Sequence, residues 1–128
     1  LAQQVNLAGA VIVSTPQDIA LLDVVKALTM FQKASVPVLG MIENMSYWCC
    51  PDCGRIDHIF GEGGVKAEAK KRGIEMLGEI PISSQVRKSS DSGIPIIISE
   101  PKSVQSKNYR NIAKAIIKSV KIDEEELV

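Results

Sequence analysis

The chain predicts an α/β fold: a partial, doubly wound and mostly parallel sheet flanked by helices. Three observations carry this. Short apolar runs without polar alternation mark strands buried on both faces. Segments of helical periodicity stand between those runs, which is the alternation of parallel α/β architectures. Finally, 128 residues with 45% apolar and 23% charged side chains suit one domain, and a chain of that size buries roughly two-thirds of its unfolded surface.

The elements follow in order. Leu1 to Leu7 reads as the tail of a helix already under way, so a chain cut upstream is expected. Ala10-Val11-Ile12-Val13-Ser14-Thr15 is the first buried strand, and Pro16 stops it. Thr15 is the expected N-cap and Pro16 the first helical position of a helix running to about Lys33. Its apolar residues Ile19, Leu22, Val25, Ala27, Leu28 and Phe31 recur at helical spacing. Val36 to Glu43 is the second strand. Asn44 to Gly64 holds every cysteine and reads as a long ordered loop, a class that is usually functional. Glu62 to Gly73 is helical, with Gly73 as C-cap. Met76 to Ile80 is the third strand, ended by Pro81. Ser83 or Ser84 caps a helix through Asp91, and Ser92-Gly93 breaks it. Pro95-Ile96-Ile97-Ile98-Ser99 is expected as a fourth short strand. Ser103 to about Val120 is the last helix, with Tyr109, Ile112, Ala113, Ile116 and Ile117 on one face. One domain of residues 1–122 and an acidic tail of residues 123–128 complete the division.

Composition excludes several functions. Lys plus Arg equals Asp plus Glu at 15 each, for a net charge of zero. A sequence-blind nucleic-acid binder needs a basic face, and a membrane-surface protein needs a basic cluster. Aromatics are only 4%, too few for base-stacking platforms. No apolar run approaches the roughly 20 residues of a membrane span. The 3 cysteines are an odd number crowded into one loop, which is no disulfide framework. Reducing, intracellular surroundings are expected.

Cys50-Pro51-Asp52-Cys53-Gly54 is the sharpest motif. A turn can direct both thiols at one soft metal, and thiolates suit zinc, copper(I) and iron–sulfur clusters. Several readings compete. A redox dithiol needs a helix N-terminus to lower the thiol pKa. A complete zinc site within one chain would have to draw on Cys49, Cys50, Cys53 and His58. A half-site would meet the same pair from a second chain. A turn with unliganded cysteines is the plain alternative. Cys49 is expected as a packed thiol and His58 as a surface imidazole. The cluster Phe60-Gly61-Glu62-Gly63-Gly64 resembles an anion-binding helix start, but tight chain reversal explains it more simply. Asp18 and Asp23 read as exposed helix charges. Asn44 follows a buried strand, where side chains of such sheets face the ligand crevice. Its amide can read an adenine edge; the commoner role of such an Asn is turn formation. GxxxxGK followed by Ser or Thr is absent from the sequence, so the chain carries no Walker A loop.

These residues resemble the Mrp/ApbC family of iron–sulfur cluster carrier ATPases. The likeness lies in Gly9-Ala10-Val11-Ile12-Val13-Ser14-Thr15-Pro16-Gln17-Asp18, in Gly40-Met41-Ile42-Glu43-Asn44-Met45-Ser46, and in Cys50-Pro51-Asp52-Cys53-Gly54. Leu77-Gly78-Glu79-Ile80-Pro81 and Ser90-Asp91-Ser92-Gly93-Ile94-Pro95 continue it, over about residues 5 to 120. The resemblance implies the C-terminal half of a MinD-like P-loop fold. It implies a homodimer joined through the CxxC loop, in which Cys50 and Cys53 of each subunit bridge a labile 4Fe–4S cluster destined for apo iron–sulfur proteins. It implies that Asn44 meets adenine, with Pro81 and Ile82 beside the base. In the intact protein, ATP with magnesium would be hydrolysed; the Walker A loop, switch segments and catalytic Asp belong upstream of Leu1, so this chain alone is expected to be inactive. Strands of the sheet belong upstream too, so exposed apolar surface is expected. Cys49 departs from the family pattern. The rival functions are a zinc-clasped dimerisation module and a dithiol oxidoreductase. The cytoplasm is the expected compartment, with the mitochondrial matrix as the alternative.

Overall fold

A computed structural model describes residues 4–120. In chain order the elements are β1 (Ala10–Ser14), α1 (Asp18–Lys33), β2 (Val38–Asn44), β3 (Trp48–Cys49), β4 (Ile56–Asp57), α2 (Gly64–Arg72), β5 (Met76–Ile80), α3 (Ser84–Asp91), α4 (Ile96–Ser99) and α5 (Val104–Val120). β1, β2 and β5 form a parallel three-stranded sheet in the order β1-β2-β5. Residues 123–128 and Leu1 to Gln3 lie outside the described residues, while residues 4–7 are turn and irregular backbone rather than the expected helix.

Strand alternation divides the core in two, because successive strand residues face opposite sides. Ile12 and Met41 meet Val24 and Leu28 of α1 and Val65 and Ala69 of α2 on one face. Val11, Ile42, Leu77 and Ile80 meet Ile112 of α5 on the other. β2 lies between its two neighbours and is buried from Gly40 through Glu43. Gly40 is required there: a Cβ would run into the Leu77 side chain and stand 2.9 Å from Glu75 O. Gly73 ends α2 at φ 66°, the left-handed conformation that favours glycine. Ser83 caps α3, its hydroxyl accepting from the Val86 N–H at 3.4 Å.

Several expectations are corrected. Pro95 to Ser99 is not a strand. Ile98 and Ser99 N–H both donate to Pro95 O, at 2.9 and 3.1 Å, and Glu100 N–H donates to Ile96 O at 2.8 Å. This closes the helical turn α4 locally. Only Ile96 of the run is buried, at 7% exposure, whereas Ile98 is 68% exposed. Three consecutive isoleucines carry no period that separates a strand from a turn. Thr15 does not cap α1: the helix starts at Asp18 behind Gln17, and the Thr15 hydroxyl bonds Gln17 Oε1 at 3.1 Å. The packed side of α1 is Val24 and Leu28, with Leu21, Ala27 and Phe31 beside them. Ile19, Leu22 and Val25 are exposed. In α5, Tyr109, Ala115 and Ile116 flank Ile112, while Ala113 and Ile117 face out. α2 starts at Gly64 rather than Glu62. The long loop contains the antiparallel pair β3–β4, with Trp48 opposite Asp57 and Cys49 opposite Ile56.

Candidate functional site

β3 and β4 are the arms of a short hairpin, and Cys50 and Cys53 lie on its turn. Cys50 N–H donates to Arg55 O at 2.8 Å, and Gly54 N–H donates to Cys50 O at 2.9 Å. Pro51 restricts φ at the start of the turn, and Gly54 supplies φ 73° at its end. The fold of the turn also sets the chemistry of one thiol. The backbone N–H of Cys53, then that of Asp52, then the Cys53 side chain stabilise the Cys50 thiolate and hold its pKa below the ordinary value, against a smaller opposing effect of burial. A thiolate is the form that ligates metal.

The remaining candidates for an in-chain metal site point elsewhere. Cys49 is exposed on β3, not packed, and its Sγ lies 3.7 Å from Gly54 O and 3.9 Å from Cys50 O. Both residues of β3 are exposed, so this two-residue strand turns no side to the core. His58 is a surface imidazole: Nδ1 is 3.3 Å from Ser46 O, and Nε2 is 3.6 Å from Glu62 Oε1. Among the described residues, no group of three or more His, Cys, Asp or Glu is arranged to hold a metal ion. Cys49, Cys50, Cys53 and His58 are thus not gathered around one point in the described structure. The helix N-terminus that the redox reading asks for is not beside the pair, because Cys50 and Cys53 occupy a hairpin turn and the next helix starts at Gly64; the lowered Cys50 pKa comes from the N–H groups of the turn itself.

Asn44, Pro81 and Ile82 line one cavity of about 390 Å³. Asn44 ends β2, and Pro81 and Ile82 follow β5, so the cavity opens at the carboxyl ends of adjacent parallel strands. That is where α/β sheets bind ligands. Two backbone bonds join its walls: Ser46 N–H donates to Ile80 O at 3.0 Å, and Ile82 N–H to Tyr47 O at 2.7 Å. Sequence reading did not identify Val86, Arg87 and Tyr109, which also line it. These residues come from α3 and α5, and no local motif links those helices to the strand ends.

Glu43 was missed too, although an acid inside a buried strand is a readable signal. It is 1% exposed. Its Oε1 accepts from Ser46 Oγ at 2.7 Å, and its Oε2 accepts from Val65 N–H at 3.0 Å. The first turn of α2, where a bound anion was one reading of the glycine cluster, thus takes a carboxyl from β2 instead. The glycines serve the tight chain reversal, Gly61 and Gly63 at φ 114° and 68°, and at Gly64 a close approach, where a Cβ would stand 2.7 Å from Pro16 O. Asp18 and Asp23 are exposed on α1.

A protein with 56% identity over 95% of this chain is the iron–sulfur cluster transfer protein NUBPL of Dictyostelium discoideum, of which the chain covers 38%. An Arabidopsis thaliana relative, the mitochondrial iron–sulfur protein required for NADH dehydrogenase, is 45% identical over 94% of this chain and 39% of its own length. An iron–sulfur cluster carrier protein of Aquifex aeolicus is 50% identical over 91% and 32%, respectively. The chain thus spans under two-fifths of the length of these relatives. A nucleotide-binding protein of Archaeoglobus fulgidus, solved in complex with ADP, superposes with a TM-score of 0.63 at 44% identity, over 75% of this chain and 38% of that one. The cell-division ATPase MinD of Pyrococcus furiosus superposes at 0.68 with 24% identity, over 87% and 43%, and shows the fold alone. A family model described as ParA, NUBPL iron-transfer P-loop NTPase, matches residues 1–117. With that match spanning the sheet, the Cys hairpin and the cavity, the chain belongs to the NUBPL iron-transfer P-loop NTPase family.

Proposed function

We propose that this chain is the cluster-holding and base-recognising part of an iron–sulfur cluster carrier. The observation that carries the reading is an exposed turn presenting Cys50 and Cys53, with no further ligand assembled around them among the described residues. Iron–sulfur clusters take four thiolates. Two copies of the chain supply them in pairs, so the cluster is held as cargo between the hairpins of a homodimer and passed to apo iron–sulfur proteins. Ligands borne on a short, exposed hairpin suit release. The cavity at Asn44, Pro81 and Ile82 takes the adenine of ATP, the Asn44 amide pairing with the base edge and Pro81 and Ile82 packing on its face. Phosphate and magnesium binding and hydrolysis need a Walker A loop, which this sequence lacks, so they are not assigned to the chain. Free thiols suit a reducing compartment, either cytoplasm or mitochondrial matrix.

The test is iron, sulfide and zinc per chain after anaerobic reconstitution, on material of known oligomeric mass. About two iron and two sulfide per chain in a dimer are expected for one shared four-iron cluster. Zinc at half per chain, with no iron retained, would replace the carrier by a zinc-clasped dimer. A monomer without metal that reduces disulfides would establish the dithiol oxidoreductase.

A further inference from the structure

We propose that Glu43 is a positioning residue for the cluster ligands, its buried carboxyl tying both ends of the Cys-bearing segment to the end of β2. This rests on the reading of Cys50 and Cys53 as ligands. The segment leaves β2 after Asn44, passes through Ser46 two residues on, and re-enters the core at Val65. Ser46 and Val65 are both fully buried, and both donate to the same carboxyl, one to each oxygen. Among the described residues no other side chain caps α2, whose N-cap is Gly63. A side chain at the cap position would have satisfied that helix locally. A carboxyl supplied from a strand 22 residues away does something a local cap cannot: it fixes the distance between the two stems of the loop.

The ties extend toward the thiols. Ser46 O lies 3.3 Å from His58 Nδ1, just past β4, and Ser46 N–H donates to Ile80 O at 3.0 Å. Strand alternation places Asn44 on the opposite face of β2 from Glu43. One strand end therefore carries an anchor of the hairpin beside a wall of the cavity. A buried carboxyl is costly unless its oxygens are bonded, so removing either donor loosens the stem. Partners bonded directly to metal ligands contribute about 10–100-fold to metal affinity; Glu43 and Ser46 touch neither thiol and act one step further out, through the stems of the loop, so the lower end of that range applies.

The experiment compares Ser46→Ala and Glu43→Gln with Ile112→Val, a control in the core on the other side of the sheet, all in the full chain. Melting temperature is read first. The metal-free chain is then titrated with phenylarsine oxide, a trivalent arsenical that bonds two neighbouring thiols with loss of water. Release of reconstituted iron to a chelator is the third readout. Ser46→Ala and Glu43→Gln are expected to weaken arsenical binding and speed iron release about tenfold, while Ile112→Val lowers the melting temperature and leaves both unchanged. Thiol affinities that stay at the wild-type value, or fall in all three variants in step with melting, overturn the proposal. A wild-type chain that takes up no iron overturns the carrier reading instead, and the arsenical comparison still decides the role of Glu43.

Discussion

Cys50 and Cys53 differ from Cys49 by position on the hairpin, not by residue type. The first two lie on the turn, while Cys49 belongs to the arm and faces the Gly54 carbonyl. Cys50→Ser and Cys53→Ser should each abolish iron retention, and Cys49→Ser should keep it, measured as iron and sulfide per chain. The reverse pattern would shift the ligand register by one residue. The Cys50 thiolate is favoured chiefly by backbone donors at Cys53 and Asp52. Alkylation of Cys50 by iodoacetamide, followed by peptide mass, should therefore reach half its maximal rate at a pH below the ~8.5 of an ordinary thiol. The sign follows from the thiolate being the reactive form: a lowered pKa moves the whole profile to lower pH. At the cavity, Asn44→Ala should weaken binding of a fluorescent adenine nucleotide by up to about tenfold, the worth of one or two neutral hydrogen bonds. Unchanged affinity would remove the base-reading role. The cysteine pair was legible in the sequence because its chemistry and spacing are local. Glu43, Val86, Arg87 and Tyr109 were not identified, because their roles depend on partners brought in by the fold.

At the scale of elements, ends marked by glycine or a capping serine were read best. Gly73 and Ser83 stand where expected, because left-handed backbone and an unpaired helix N–H each demand particular residue types. Ser83→Ala should cost about 1 kcal/mol in chemical denaturation. A loss near zero would mean that the long 3.4 Å bond to Val86 contributes nothing. Periodicity was a weaker guide. In α1 apolar residues occupy more than one side: spacing groups Ile19, Leu22 and Val25 with Ala27, Leu28 and Phe31, while packing against β1 and α2 buries Val24 and Leu28, keeps Ala27 and Phe31 beside them and leaves the first three exposed. At α4 a run of three isoleucines predicts a strand. Hydrogen bonds back to Pro95 and Ile96 decided for the helical turn. Ser106 consolidates it: its single hydroxyl hydrogen is shared between Glu100 O at 2.7 Å and Ile96 O at 3.1 Å.

For the whole molecule, three parallel strands separate two cores, and the strand ends carry both the cavity and the anchor of the Cys hairpin. The proposed function needs a second copy, because four thiolates are divided between two chains. Iron retention should therefore rise with chain concentration, and metal loading should move the chain from monomer to dimer in sedimentation. Concentration-independent loading of a monomer would show that one chain binds the metal alone. By itself the sequence determined the α/β class, the three parallel strands, most of the helices and the thiol pair. Each is written in short-range patterns: continuous apolar runs, capping residues and a four-residue spacing. Only the tertiary structure decided which face of α1 is buried, that Pro95 to Ser99 is helical, that Val86, Arg87 and Tyr109 join Asn44, Pro81 and Ile82 around one cavity, and that Glu43 joins Ser46 to Val65. Those outcomes depend on contacts between residues distant in the chain. Sheet register and helix packing create such contacts, and local residue pattern does not encode them.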